Sequence, residues 1–169
     1  VSVFSDALMT SQYLIGSKSS VAISENIVIK GNSIYRIVDG PSWTQAEANS
    51  VVLGGHLTTI GSLEENTWLS DKFGNVGRSP LSSLAPNQIP GDGYSLWIGA
   101  TDSLVEGVWT DPTGSPLTFM NWSTNEPNNV GWYDPSGEDY AAMAGFTWID
   151  LGTNPPNSDH AFTGIAEIP

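Results

Sequence analysis

At 169 residues and 39% hydrophobic, the chain is long enough for one domain with its own core, and no apolar run approaches the roughly 18 residues of a membrane span. A net charge of −13 argues against nucleic acid and against anionic membrane surfaces as partners. The absence of cysteine excludes disulfides, thiolate zinc sites and thiol catalysis.

The charge is unevenly spread. The basic residues are Lys18, Lys30, Arg36, Lys72 and Arg78, so Ser79–Pro169 contains none, while that half carries eleven Asp and Glu. A generally acidic surface of the halophilic kind would explain an excess. Clustering in Gly-, Asn- and Pro-rich loops points instead to metal binding.

In chain order, residues 1–32 hold short β-favouring pieces (VSVFSDAL, QYLIGS, SVAISENIVI) separated by Ser and Gly. They read as an N-terminal extension of strands packed on a domain spanning 33–169. With no signal peptide at Val1, the chain reads as a piece of something longer. Ser33–Val38 alternates as a strand. Two capping boxes follow, Ser42 with Gln45 and Ser62 with Glu65, opening helices that stop at Gly54-Gly55 and Gly74. Trp43, Ala46, Val51 and Leu53 share the expected inner face of the first, and Leu63, Trp68 and Leu69 that of the second. His56–Ile60 between them reads as a short strand, with His56 a structural residue.

Asn75–Tyr94 reads as loop. Leu96–Ala100 is the continuous apolar run of a strand buried on both faces. Gly107–Trp109 and Leu117–Phe119 flank the turn Asp111–Gly114 and read as a hairpin. Tyr140–Ala144, Thr147–Ile149 and Phe162–Ile168 complete the strands. Two early helices and many short strands predict an α+β domain.

Asn121–Asp150 gathers Glu126, Asn128, Asn129, Asp134, Glu138, Asp139 and Asp150 with no Lys or Arg. Converging carboxylates repel, and a hard cation with six to eight oxygen ligands relieves them, which points to Ca²⁺. Trp132 and Tyr133, in the same loop, are suited either to stacking on a ligand or to folding inward beneath the loop.

The ordered pieces SWTQAEA, GGHLTTI, SLEENTWL, WIGA, EGVW, NW, EPN, GED and WID resemble the C-type lectin-like domain from about Ser33 to Ile168. The resemblance implies a double-loop α+β fold, two helices packed on small antiparallel sheets with a long calcium-binding loop. The lack of cysteine is similar to bacterial members. Carried over, the principal calcium ligands are Glu126, Asn128, Glu138 and Asp150, with a cis Glu126–Pro127 bond turning the first two towards one ion. An accessory site falls on Asp102, Glu106, Asn129 and Asp139. Glu126, Asn128 and Glu138 are the implied sugar contacts, with Trp132 beside them, and EPN implies glycans with neighbouring equatorial hydroxyls, mannose-, fucose- or glucose-like. Ile149 stands where the family has an Asn that ligates calcium and donates to the sugar. Restoring it by Ile149→Asn is expected to strengthen sugar binding.

The implied function is a calcium-dependent carbohydrate-binding module. It would serve adhesion within a larger secreted or surface bacterial protein. The alternative is a calcium-stabilised module that binds protein or acts as a spacer. Catalysis is not expected. Glu126 and Glu138 would need one protonated carboxyl to act as a glycosidase pair, and His56 and His160 form no cluster.

Overall fold

The computed structural model describes residues 27–74, 95–130, 137–152 and 163–169. Among the described residues nine elements run in the order β1 (Val28–Lys30), β2 (Ser33–Asp39), α1 (Trp43–Val52), β3 (His56–Leu57), α2 (Leu63–Phe73), β4 (Ser95–Thr101), β5 (Tyr140–Ala144), β6 (Thr147–Leu151) and β7 (Thr163–Ile168). The loop expected over Asn75–Tyr94 and most of the N-terminal extension lie outside the described residues.

The strands form one mixed sheet in the order β1-β2-β7-β4-β5-β6, with β3 added to β7. Every pairing is antiparallel except that of β4 with β7, where Leu96 meets Thr163 and Trp97 meets Gly164. Alternation along the strands sends side chains to two cores, one on each face. Leu96, Ile98, Ala100, Ala141, Met143, Trp148 and Ile165 join Leu69 and Phe73 of α2 on one face. Trp97, Tyr140, Ala142 and Ala166 join Trp43 and Ala46 of α1 on the other. Burial on both faces is why β4 reads as an unbroken apolar run.

Both helices start where the capping boxes place them. The Ser42 and Ser62 hydroxyls accept from the Gln45 and Glu65 N–H groups, each at 3.2 Å. The inner faces differ from the expectation. In α1 the buried residues are Trp43, Ala46 and Ser50, while Val51 and Leu53 are exposed. Seven residues return a helix almost to its starting azimuth, so Ser50 lies under Trp43 and Val51 is turned about 100° away. Ser50 satisfies its hydroxyl on the Ala46 carbonyl at 2.9 Å. In α2 the buried set is Asn66, Leu69 and Phe73, and Leu63 faces outward.

Chain-specific polar bonds tie the layers together. Trp43 Nε1 donates to the Ile98 carbonyl at 2.7 Å. At Gly99 a β-carbon would collide with the Leu57 carbonyl, so only glycine lets β3 and β4 approach this closely. The expected 107–119 hairpin reduces to a bridge between Thr110 and Pro116. Asp111 organises its turn, accepting from Thr113 and Ser115 N–H groups at 2.8 and 3.0 Å. No helix among the described residues is long and apolar enough to cross a membrane.

Candidate metal and ligand site

Three stretches converge where β5 begins and β6 ends: the turn around Glu126, Gly137-Glu138, and Asp150 of β6. The register of β5 with β6 sets Asp150 opposite Ala141. Asp150 is 2% exposed, yet both carboxylate oxygens are engaged. The Asn128 N–H reaches Oδ1 and Oδ2 at 3.1 and 3.0 Å, and the Asn129 N–H reaches Oδ2 at 2.8 Å. Asp150 therefore pins the turn that follows the cis Glu126–Pro127 bond.

That turn is built from polar residues in unusual backbone conformations. Asn125 and Asn129 have φ of 72° and 52°, a region Asn tolerates better than most residues. Asn128 Nδ2 donates to Glu126 Oε2 at 2.8 Å, while its Oδ1 accepts from Val130 N–H at 2.7 Å. Asn129 Oδ1 accepts the Glu138 N–H at 2.7 Å. A side chain at Gly137, where φ is 102°, would strike that Asn129 oxygen, so glycine is what lets Glu138 be drawn in.

As a result, carboxylate oxygens of Glu126, Glu138 and Asp150 all lie within 4.8 Å of one another. The electrostatic consequence is direct. Burial, then the hydrogen bond and charge of Asp150, push the Glu126 carboxyl from its ordinary 4.5 to about 8. Burial and the Asp150 charge push Glu138 to about 7. Such shifts record negative charge held together at a cost.

The residues expected at the accessory site are arranged differently. Asp102 N–H and Thr101 Oγ1 both donate to the Asp139 carbonyl, at 3.1 and 2.8 Å. Asp102 is also 2% exposed. Its Oδ2 accepts from Gly107 N–H at 2.8 Å, whereas Oδ1 is buried with no partner among the described residues. Burial raises its carboxyl above the usual range, and the Glu106 and Asp139 charges add to the rise. Among the described residues these three do not draw together as Glu126, Glu138 and Asp150 do. Trp132 and Tyr133 lie outside the described residues.

Ile149 faces away from this site. On β6, Trp148 and Asp150 are buried on one face, while Ile149 and Leu151 pack on the other, against the α1-side core. An Asn there would therefore enter apolar packing, which removes the expectation that Ile149→Asn gains a sugar contact. Sequence reasoning also passed over Asn66. It donates to the Phe146 carbonyl at 2.8 Å and accepts Trp148 Nε1–H at 2.7 Å. Its signal was available: a polar residue three before Leu69 and seven before Phe73, on the apolar stripe of α2. His56 pairs with Glu47, Nδ1 to Oε1 at 2.6 Å, as a structural residue would.

No family model matches the chain. Curated relatives do. A type-2 ice-structuring protein of Hemitripterus americanus is 30% identical over 97 residues, covering 57% of this chain and 48% of the relative. An alpha-N-acetylgalactosamine-specific lectin of Patiria pectinifera is 32% identical over 105 residues, covering 59% and 54%. The chain thus spans about half the length of these relatives. Among solved structures, the carbohydrate-recognition domain of the human scavenger receptor C-type lectin matches with a TM-score of 0.64 and 26% identity, over 84% of this chain and 95% of that one. A calcium-independent type II antifreeze protein matches with a TM-score of 0.60 and 23% identity, over 84% and 90%. Fold and relatives together support a C-type lectin-like domain.

Proposed function

Starting from a C-type lectin-like fold, we propose that the chain is a calcium-dependent glycan-binding module. The observation that carries this reading is the convergence of Glu126, Glu138 and Asp150 within 4.8 Å with no cationic side chain in the stretch. The donor set is all oxygen, as Ca²⁺ requires. Asn128 completes it. Its Oδ1 already accepts one N–H, but a carbonyl oxygen has a second lone pair. Asp102, Glu106, Asn129 and Asp139 would hold a second ion, for which Asp102 Oδ1, buried without a partner among the described residues, is the support.

Bound calcium supplies positive charge that neutralises the carboxylates and a face on which two neighbouring hydroxyls can be held. Glu126 and Glu138 accept hydrogen bonds from such hydroxyls and Asn128 donates one; Trp132, outside the described residues, is the aromatic side chain proposed for the sugar's apolar face. The EPN order favours mannose- or fucose-like hydroxyl geometry. The same reading places the module at a cell surface or outside the cell, as an adhesion unit of a larger protein of bacterial type. An enzyme is disfavoured because three carboxylates share one locus, where glycoside hydrolysis needs an acid and a base kept apart in role.

Titration calorimetry with Ca²⁺, followed by a glycan array with and without chelator, tests the proposal. Micromolar-to-millimolar calcium binding and chelator-sensitive array hits are expected. Heat-silent titration overturns the metal. Calcium binding without any array hit overturns the sugar and leaves the calcium-stabilised protein-binding or spacer reading. Ile149 favours that second reading, because its packing leaves one hydroxyl donor missing.

A further inference from the structure

One loop holds apolar side chains in water although its backbone is fixed. Residues 102–108 join β4 to the buried Trp109 through two successive turns. Val105 N–H donates to the Asp102 carbonyl at 3.0 Å, and Val108 N–H to the Val105 carbonyl at 2.9 Å. Gly107, third in the second turn, has φ of 76°, a conformation that favours glycine there. The start of the loop is fastened beside the carboxylate cluster, since Asp102 N–H donates to the carbonyl of Asp139 at 3.1 Å and Asp139 follows Glu138. Chain geometry sets the Leu104 backbone within roughly 15 Å of that of Glu138. From these turns Leu104 projects 80% exposed, Val105 59% and Val108 50%. Together they show on the order of 300 Å² of apolar surface, comparable to the largest patch on many monomers, which is often functional.

We propose that the glycan taken at the Glu126, Glu138 and Asp150 cluster carries an alkyl or acyl chain, and that Leu104, Val105 and Val108 form the surface along which that chain lies. The proposal rests on the calcium-dependent glycan reading and narrows its ligand class to glycolipids. Size and composition select this occupant. A stable protein interface takes about 800 Å² from each partner and is anchored by Trp, Tyr and Arg, with Leu and Val under-represented. The patch has less than half that area and is wholly aliphatic. A hydrocarbon chain needs no anchor and brings no polar group to satisfy; its gain is simply the apolar area that both surfaces remove from water. The hydrogen-bonded turns place the three side chains before any ligand arrives, so little ordering remains to oppose binding. Sugar and chain are then read by neighbouring parts of one surface, the polar end at the carboxylates and the apolar end at the loop.

The test titrates the full chain, in excess Ca²⁺, with methyl α-mannoside and with octyl α-mannoside below its micelle concentration. The octyl glycoside is expected to bind on the order of tenfold or more tightly, because each methylene set fully against the patch adds up to about fourfold. Leu104→Ser changes a side chain that the core does not hold. It is expected to remove most of the octyl advantage and to leave the methyl glycoside affinity and the melting temperature as they were. Equal affinity for the two glycosides overturns the proposal and leaves the glycan reading standing. Failure of both to bind removes the mannose-type reading itself, and this proposal with it. Octyl binding that persists in chelator shows a chain taken without its sugar and overturns the shared site. An octyl advantage that survives Leu104→Ser combined with Val108→Ser places the chain elsewhere and overturns the loop's role.

Discussion

Glu126 carries two opposed demands, since its carboxylate adds repulsion to Glu138 and Asp150 without calcium and becomes a ligand with it. Glu126→Gln keeps the shape and removes the charge. Thermal melts in chelator are expected to rise for this variant, while calorimetry shows calcium affinity falling by about tenfold or more, some 1.4 kcal/mol. A purely structural Glu126 would lower the melt and leave nothing to lose in the titration. Ile149 tests the opposite kind of residue. Ile149→Asn sets an amide against the α1-side core, beside its strand partner Ala142, and urea unfolding is expected to show a loss of about 1–3 kcal/mol, with no gain in sugar binding on the array.

Between elements, Asn66 is the fastener that joins α2 to the β5–β6 turn and to Trp148. Asn121 Nδ2 donates to the same Phe146 carbonyl at 2.8 Å, so the turn is held from the helix and from the long loop together. Asn66→Ala leaves Trp148 Nε1 without its acceptor inside the core. The expected loss is about 2–3 kcal/mol in urea unfolding, and Asn66→Asp, which keeps an acceptor, is expected to recover part of it. Above Trp148 sit Trp122, at 5.7 Å between ring centroids, and Trp109, at 4.5 Å from Trp122. Trp122 belongs to the segment that leads into the Glu126 turn, through Ser123, whose carbonyl accepts the Glu126 N–H at 3.0 Å. Ordering of that turn by calcium is therefore expected to change tryptophan emission, with chelator reversing it.

For the molecule as a whole, the site dictates how stability depends on pH. Glu126 and Glu138 hold protons in the folded state up to about 8 and about 7, whereas both release them near 4.5 when unfolded. Between those limits the unfolded chain binds fewer protons, so calcium-free stability falls as pH rises from about 4.5 towards 8. Calcium binding expels the same protons and strengthens with pH across the same window. Melting in chelator is therefore expected to decline with pH while the gap opened by excess calcium widens. A gap that stays constant across the window contradicts the carboxylate cluster as the metal's seat.

Sequence alone determined what rests on local rules. The capping serines, the helix starts, the doubly buried β4 and the acidic EPN and GED pieces follow from neighbours in the chain, because capping, alternation and turn chemistry act over a few residues. Tertiary structure decided what rests on azimuth and distance. Which turn of α1 faces inward, and the burial of Asn66 between helix and loop, depend on where other elements sit. So does the drawing of Glu138 onto Asn129 past Gly137. Ile149 shows the limit most plainly. Its neighbours in sequence place it beside Asp150, but the period of a strand is two residues, and the sheet sends it to the other core.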